Sequence, residues 1–487
     1  MEATPKNFRR VAKEEVAKVE QSDFLIMVSG VFNYLCDSAM QVYGDLHEQR
    51  EAKEVGGEIR ANSLNNLAEL LERFEVNAAL NGIKVLWADD GDEACKLVGQ
   101  LIKKHEVKTI TKGKSMITEE IHLNDYIGNK TEAAVYEGDL GEFIVQQRGT
   151  PPFHIVGPAI NLKLTEIVDI LHDSIDMPKT EDAGEIANHV RTFLRTQFQK
   201  ADMGITGVNQ AIASTGSLLL VENEGNIRWS TSSPKIHVAL MSIEKVCDNL
   251  ADAFYLTGLL TRNCTGQAIT TYVSLLNGPR HEKEKDGPEE VYVIILDNGR
   301  SKAYLNEELR EALRCIRCGR CGIKCPIYLR VGAYPYGNCY PGPMGAVLMP
   351  LLLGMDETKH LYQACTLCGA CMEVCPARVP HLTLYERYRQ MKANGNKEFK
   401  ATPNLGNKLL FKSFAKGMGN RWLYEKGLKV VRTYTKSAAD DGYIKKLSGP
   451  AAGWFACRDL PAVPDITFKQ YWEDEGQKVA KEGKKHE

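Results

Sequence analysis

The distribution of apolar and polar positions divides the chain into stretches of different character. Residues 1–60 have a helical apolar pattern around 24–40 followed by many charges, which predicts an N-terminal helical arm that packs on the rest of the chain. From about 61 to 300, short apolar β-branched runs alternate with stretches of helical length, which is typical of an α/β fold. Those apolar runs lie at 84–88, 142–146, 154–160, 217–223 and 291–296.

The pattern changes near residue 300, after a charged break at 281–290. Residues 301–395 are predicted to be helical and contain many cysteines, whereas 396–487 are Lys-rich and only sparsely periodic. We expect this last stretch to be a C-terminal docking tail, partly extended over other surfaces and mobile over its last ~10 residues. Its Trp454, Phe455 and Arg458 are typical of a partner-binding surface, although packing on this chain's own core explains them equally well.

Composition and charge narrow the class of protein. The 487 residues, 43% hydrophobic and 25% charged, have the balance of a soluble globular protein with two or three domains. A formal net charge of −2 argues against a nucleic-acid partner. The N-terminus has no apolar secretory segment, and the longest apolar run, 345–355, is about half of the ~20 residues that a spanning helix needs. We therefore expect a cytoplasmic protein, with any peripheral membrane association made through partners.

The cysteines carry the strongest chemical signal. A cytosolic chain with fourteen cysteines suggests metal before disulfides. Eight of them form two copies of the pattern C-x2-C-x2-C-x3-C-P, which is typical of paired [4Fe–4S] clusters whose fourth cysteine ligates the neighbouring cluster. The pattern predicts one cluster on Cys315, Cys318, Cys321 and Cys375, and a second cluster on Cys365, Cys368, Cys371 and Cys325.

Two four-cysteine zinc sites are the alternative, but zinc does not call for a third cysteine at the same spacing or for the Cys-Pro ending. The motifs start 50 residues apart, and the segment between them has a helical pattern, so we expect an α-helical ferredoxin module. With every iron site closed, the module would transfer electrons and bind no substrate. We expect Cys339 to be non-ligating, and the isolated cysteines to be small apolar residues of the fold; these are Cys36, Cys95, Cys247, Cys264 and Cys457.

Polar segments after the strand-like runs supply weaker candidates for a substrate site, because ligands of α/β folds bind there. Lys112, Lys114 and Ser115 suit a carboxylate or phosphate, with Glu119 or Glu120 as a proton acceptor. A second candidate anion site is a backbone cradle formed by Thr206, Asn209, Thr215 and Gly216. Each group also has a structural explanation that accounts for it about as well. Glu119 and Glu120 are acids early in a helix, where the helix dipole stabilises them, and a tight turn explains the second group.

Two histidines in apolar stretches, His154 and His237, are more often core residues than catalytic bases. Of these, His154 is retained with Lys114 and Glu119 as a weak catalytic candidate. The chain has no Rossmann glycine fingerprint and no Walker loop, so nicotinamide and ATP are poorly supported, and a flavin site cannot be identified.

At these segments the chain resembles a known family, the lactate-utilisation iron–sulfur subunit. The resemblance extends over nearly the whole chain and rests on ordered segments at 114–120, 204–209, 223–225, 340–343 and 453–461, together with the double cysteine motif. It implies a lactate-utilisation domain similar to the sugar-isomerase and CoA-transferase α/β fold, joined to a two-cluster ferredoxin module. Asn161 stands where the family predicts a histidine, and Cys264 where it predicts a small residue without a thiol.

The resemblance implies an electron-transferring subunit of a lactate dehydrogenase complex that also contains a cysteine-rich redox subunit and a smaller lactate-utilisation subunit. The two departures leave electron transfer better supported than catalysis by this chain. Two alternatives stay open. One is a ligand-binding or acyl-transfer protein in which the clusters are structural, and the other is an electron-transfer subunit for a flavin-dependent dehydrogenase of D-lactate or glycolate.

Overall fold

The computed structural model describes residues 4, 6–20, 24–446, 452, 455 and 458–476. The chain forms two compact units, Met1–Thr402 and Pro403–Glu487. Trp454, Cys457 and the residues from 477 onward lie outside the described residues, as does the side chain of Cys36. The boundaries expected near 60, 300 and 395 stay a prediction.

The first unit begins with helices that pack against later parts of the chain. They are α1 (Phe8–Glu20), α2 (Phe24–Gln41), α3 (Leu46–Asn65) and α4 (Leu67–Leu80). Asp45 caps α3 by accepting a hydrogen bond from the backbone N–H of Glu48 at 2.8 Å. A Cβ on Gly56 would lie 2.2 Å from the Leu259 side chain and 2.8 Å from the Pro376 carbonyl oxygen, so α3 requires glycine there to approach both.

Ten strands lie between residues 84 and 296. They are β1 (Lys84–Ala88), β2 (Thr109–Lys112), β3 (Ala134–Glu137), β4 (Met203–Gly207), β5 (Gln210–Ile212), β6 (Ser217–Glu222), β7 (Ile236–Ser242), β8 (Val246–Cys247), β9 (Tyr272–Leu276) and β10 (Glu290–Leu296). Six of them form a parallel sheet in the order β1-β10-β7-β4-β2-β3, and a smaller mixed sheet has the order β8-β5-β6-β9. The α/β fold predicted from the alternating pattern is confirmed.

Eight helices connect these strands. They are α5 (Gly91–Lys104), α6 (Met116–Glu120), α7 (Leu123–Lys130), α8 (Leu140–Arg148), α9 (Leu164–Ile175), α10 (Ala183–Lys200), α11 (Asn226–Ser232) and α12 (Leu250–Cys264). Along β10, Tyr292, Ile294 and Leu296 join a core with α5 and α7, whereas Val291, Val293 and Ile295 join a core with α4. A central parallel strand buried on both faces is therefore apolar throughout.

Two of the apolar runs identified in the sequence are not strands. Residues 142–146 belong to α8, whose start is fixed by Asp139 accepting a hydrogen bond from the Glu142 N–H at 3.0 Å. Residues 154–160 form bends and turns, because Gly157 and Pro158 interrupt the run. A short apolar run does not by itself distinguish a strand from a buried helical turn.

The cysteine-rich region is helical, as predicted. Its helices are α13 (Arg300–Tyr304), α14 (Glu307–Arg310), α15 (Pro326–Val331), α16 (Gly342–Leu352), α17 (Lys359–Gln363), α18 (Ala370–Glu373) and α19 (His381–Asn394), with 3-10 turns between some of them. All residues of α16 from Gly342 to Leu351 are buried. The core of this region also includes Tyr43, Leu64, Phe153 and Leu256 from earlier in the chain.

The second unit contains α20 (Leu405–Gly419), α21 (Arg421–Ala438), the strand pair β11 (Tyr443–Ile444) and β12 (Leu460–Pro461), and α22 (Phe468–Tyr471) followed by a π-helical turn. The expectation of a partly extended tail missed α20 and α21. In α20, Lys408, Lys412 and Lys416 follow each other at four-residue spacing on one face, while Phe411, Phe414 and Met418 occupy the other. Among the described residues, no helix combines the length and apolar character that a bilayer crossing requires.

Candidate iron–sulfur centres and an adjoining cavity

The two cysteine motifs fold into loops of the same backbone conformation. Arg317 and Leu367, two residues after the first cysteine of each motif, have φ of 64° and 56°. In each loop this residue donates its N–H to the sulfur of that cysteine, Cys315 or Cys365, at 3.4 Å. Gly319 and Gly369 also have positive φ, which glycine adopts without strain. The repeated sequence pattern therefore corresponds to a repeated amide-lined loop.

One cavity is lined by one cysteine of the first motif and three of the second. Cys325, the last cysteine of the first motif, lies there with Cys365, Cys368 and Cys371, and we call these four the second set. The space has a volume of about 450 Å³ including its opening. Its other walls are largely apolar, with Ile327, Tyr336, Leu361, Leu382 and Tyr385 among them.

The remaining four cysteines, Cys315, Cys318, Cys321 and Cys375, are called the first set. Burial raises the pKa of Cys318 well above its usual value, and the neighbouring thiols of Cys375 and Cys315 raise it further. Burial likewise raises the pKa of Cys375 to about 11, and its sulfur accepts a hydrogen bond from the Val379 N–H at 3.3 Å. Cys375 thus lies beside cysteines of the other motif, and iron would have to displace the thiol protons on binding.

The two sets fit a cluster better than a zinc ion. With Zn–S bonds of about 2.3 Å, tetrahedral zinc requires sulfurs about 3.8 Å apart. Within the described residues, no three or more Cys, His, Asp or Glu side chains are arranged to hold a single metal ion. The four thiolates around a cubane of iron and sulfide stand farther apart, since the cubane itself is several atoms wide.

A buried ionic network adjoins the first set. Arg317 contacts the Glu244 carboxylate at 2.8 Å and the Cys315 carbonyl oxygen at 3.0 Å. Arg300 bridges Glu244 at 3.0 Å and Glu120 at 2.7 Å, and Glu120 also accepts a hydrogen bond from the Tyr340 hydroxyl at 2.8 Å. Although burial alone would raise it, Arg300 and Arg317 lower the pKa of Glu244 to about 2. The charges are therefore paired within the protein interior.

A second, larger cavity lies between the parallel sheet and the first motif. Its volume is about 1480 Å³ including its opening, and it adjoins the carboxyl ends of β2, β4 and β7, where α/β proteins bind ligands. Three predicted site residues line it, namely Lys114, Ser115 and Asn209. Ile316 and Arg317 line it from the cluster side, so the cavity directly adjoins the first cysteine motif.

Lys112 and Glu119, two of the predicted site residues, are paired outside this cavity. Lys112 is buried and contacts Glu137 at 2.8 Å and Glu119 at 3.1 Å. Burial opposes the charge on Lys112, but the two carboxylates raise its pKa. Glu120 holds Arg300 and does not line the cavity either.

The remaining candidates occupy structural positions. The hydroxyl of Thr206 lies 2.8 Å from His237 Nε2, and burial lowers the pKa of His237 to about 4. Thr215 and Gly216 form the turn between β5 and β6, where a Cβ on Gly216 would lie 2.3 Å from the Ala78 nitrogen. His154 is buried beside the first motif, 5.9 Å from Tyr328 between ring centroids, and burial lowers its pKa to about 3.

The departures from the family pattern also have definite positions. The Asn161 side chain donates a hydrogen bond to the Tyr334 hydroxyl of the cysteine-rich region at 3.0 Å. Cys264 lines the large cavity, where burial raises its pKa to about 11. Cys339 lines neither cavity; burial and the neighbouring Glu120 raise its pKa.

Sequence reasoning missed two cations of the large cavity, Lys245 and Arg317. Lys245 follows β7, so its place after a buried parallel strand was the available signal. Arg317 lies within the cysteine motif, where no spacing rule points to a cavity. Burial and the repulsion from Arg317 lower the pKa of Lys245 to about 7, while Glu244 opposes the shift.

Comparisons with known proteins identify two families along the chain. Residues 71–296 match the LUD domain family, and residues 311–379 match the 4Fe-4S dicluster domain family. The chain is similar to lactate utilization protein B of Bacillus velezensis, with 38% identity over 96% of this chain and 98% of the relative. The proteins of the same name from Bacillus licheniformis and Bacillus thuringiensis are 39% and 37% identical, over 95% and 92% of this chain and 96% and 93% of theirs.

Proposed function

The chain belongs to the lactate utilization protein B family, and on that premise we propose that it is the electron-transferring iron–sulfur subunit of a complex that oxidises lactate to pyruvate. This oxidation releases two electrons and two protons. Two [4Fe–4S] clusters, when bound, supply two one-electron sites. In the proposal the first set of cysteines holds one cluster and the second set holds the other.

The observation that carries the proposal is the shared cavity of the second set, because it joins Cys325 of one motif to three cysteines of the other. The electrostatic neighbours of Cys321 include Cys371, so the two sets adjoin each other. All eight thiols are assigned to iron, which leaves no position open for a substrate. The protein's contribution is to hold the two sites close together, with Cys368 at the surface and the first set beside the large cavity.

The test uses the anaerobically purified complex with all of its subunits. Addition of lactate should bleach the visible absorbance of the clusters, and dithionite should define full reduction. The same complex carrying Cys325→Ser should show less bleaching because one site is lost. Clusters that dithionite reduces but lactate leaves oxidised would contradict the proposal.

The second unit is proposed to dock the partner subunits. Large apolar side chains are exposed on both of its long helices, among them Phe411, Phe414, Trp422, Val430 and Tyr434. Removal of residues 403–487 should abolish copurification of the cysteine-rich and smaller subunits while both clusters remain. Copurification of the partners with the truncated chain would contradict this docking role.

A second candidate function is supported by the size of the large cavity. Its interior of about 340 Å³ lies within the range of roughly 300–1,000 Å³ that is typical of small-molecule sites, as expected for a ligand-binding or acyl-transfer protein in which the clusters only brace the fold. The two functions separate in the lactate experiment, since bracing clusters would stay oxidised. If a flavin-dependent dehydrogenase is the donor, D-lactate or glycolate should bleach the cluster absorbance, and only when that dehydrogenase is present.

A further inference from the structure

The large cavity contains a lysine that no other group in the described part of the chain engages. The Lys245 amine makes neither a hydrogen bond nor an ion pair among the described residues, although its side chain lines the cavity. Two lysines at the end of β2 differ from it, since Lys112 is paired with two carboxylates and Lys114 contacts the Val156 carbonyl oxygen at 3.0 Å and Asp139 at 3.5 Å. Lys245 is half-buried, and a cation that is partly withdrawn from water without a partner is stabilised when an anion joins it.

A hydroxyl of the same cavity is also without a partner. Ser115 is 6% exposed, and its Oγ forms no hydrogen bond in the described structure. The position is kept open by Gly207, where a Cβ would lie 2.6 Å from this oxygen. Ser115 precedes α6 and follows β2, so the hydroxyl stands at the end of a parallel strand, as Lys245 does for β7. Buried hydroxyls normally have a hydrogen-bond partner, which here points to a ligand.

The acidic residues of the cavity, in contrast, are already engaged. Asp139 contacts Lys114, and the Glu222 carboxylate accepts hydrogen bonds from the N–H groups of Ile227 and Arg228 at 2.6 and 3.0 Å. Glu224 accepts one from the Leu140 N–H at 3.4 Å. Burial raises the pKa of both glutamates. Because the acids have partners and Lys245 has none, the ligand that complements this cavity is an anion.

We propose that the cavity binds the carboxylate of a small 2-hydroxy or 2-oxo acid, with the Lys245 amine as its cation and the Ser115 hydroxyl as a hydrogen-bond donor. The choice of acid rests on the proposed function, since lactate and pyruvate belong to this class. Arg317 adds positive charge on the same wall, although its guanidinium already contacts Glu244. A bound carboxylate would offset the repulsion between Arg317 and Lys245.

The test measures binding of pyruvate and of both lactate enantiomers to the full-length protein with its clusters, by titration calorimetry or ligand-observed NMR. Lys245→Met keeps most of the side-chain volume and removes the charge, and should weaken binding at least tenfold, since a hydrogen bond to a charged group is lost. Ser115→Ala should weaken it severalfold, and the neutral analogue lactamide should not bind. The matched control is Lys235→Met, because Lys235 is exposed just before β7, at its opposite end.

Several results would overturn the proposal. They are equal affinity of Lys245→Met and Lys235→Met, equal binding of lactamide, or no binding of any of the acids to the parent protein. A change in a cluster potential without a change in affinity would assign Lys245 to the clusters instead. If Lys245→Met fails to fold, Ser115→Ala and Lys245→Arg decide, since Arg keeps the charge and should retain more affinity than Ser115→Ala. In these variants the clusters should still assemble and accept electrons from dithionite. Weaker binding of the acid with intact clusters is then distinguishable from a failure of the electron-transfer function.

Discussion

The two sets of cysteines share one backbone geometry and differ in their surroundings. The first set has four cations among its electrostatic neighbours, and it adjoins the large cavity; these cations are Lys53, Arg60, Lys245 and Arg317. The second set has apolar walls, with Arg389 as a cationic neighbour of Cys365. Of the eight cysteines, all of which the structure describes, Cys368 alone is exposed. Identical motifs thus give one site facing the cavity and one near solvent.

The crossed assignment gives the largest expected effect. Cys325→Ser should destroy the cluster of the second set, although the other three cysteines of its own motif remain, and Cys375→Ser should destroy the cluster of the first set. Each variant should retain roughly four of eight irons, as expected when one of two [4Fe–4S] clusters is lost. Iron and sulfide analysis with EPR of the reduced protein measures this.

Cys339→Ser is the matched control for both variants, because Cys339 lies in the same region but lines neither cavity, and it should retain both clusters. Each double variant is equally informative. Cys325→Ser combined with Cys365→Ser should lose no more iron than either single change, whereas Cys325→Ser combined with Cys315→Ser should lose both clusters. The reverse pattern would show that each motif holds its own cluster.

Exposure should separate the two sets under chemical stress. Because Cys368 is exposed, air or a ferrous chelator should remove the cluster of the second set first, at a rate several-fold above that of the first set. Stopped-flow absorbance should then show two phases, and only the slow phase should remain in Cys325→Ser. A single phase in the parent protein, or survival of the fast phase in that variant, would contradict the difference in access.

Much of this arrangement follows from local sequence. The buried strands β7 and β10 and each of the two cysteine motifs are encoded by nearby residues, and so is the helical character of the segment between the motifs. The secondary structure of 142–146 was ambiguous because a run of five residues is too short to distinguish a strand from a helix. The helix cap from Asp139 decides in favour of α8.

Which residues line the large cavity depends on contacts between distant parts of the chain. Ser115, Lys245 and Arg317 are separated by up to about two hundred residues along the chain, and only the parallel packing of β2 and β7 together with the docking of the first motif brings them to one cavity. Sequence pattern indicates which segments end at the carboxyl edge of a sheet. It does not indicate that Lys112 turns to Glu137 while its neighbour Lys114 faces the cavity.

The ionic network near the first set should make this side of the molecule sensitive to charge deletion. Arg300→Met leaves Glu120 and Glu244 buried without their main cation and should cost about 3–5 kcal/mol, seen as a lower thermal midpoint by circular dichroism. Arg387→Met is the control, because its pair with Glu308 is largely exposed and contributes about 1 kcal/mol or less. Equal destabilisation by both variants would contradict a special role of the buried network.

The same network predicts a pH dependence. The pKa of Glu244 is about 2 in the folded protein and near 4.5 when it is unfolded, so its ion pairs stabilise the fold above pH ~4.5. This stability is lost as the pH falls from about 4.5 towards 2. Glu244→Gln should therefore be less stable than the parent at pH 7, and the difference should shrink on acidification. A difference that is constant from pH 7 to pH 3 would contradict the depressed pKa.

The smallest expected effect compares two matched arginines. Arg317 donates to the Cys315 carbonyl oxygen at 3.0 Å, and Arg389 donates to the Cys365 carbonyl oxygen at 2.7 Å, so each supports the first cysteine of a motif. Removing a nearby positive charge makes a cluster harder to reduce, and shifts of the order of tens of millivolts are expected when a charge beside a cluster ligand is lost. Arg317→Gln should lower mainly the potential of the first set, and Arg389→Gln that of the second. Because the Arg317 side chain is only 8% exposed, solvent screens its charge little, and a potentiometric EPR titration should resolve its shift. Equal shifts of both cluster potentials in either variant would show that each arginine acts on both clusters alike. The two sets would then differ only in their access to solvent.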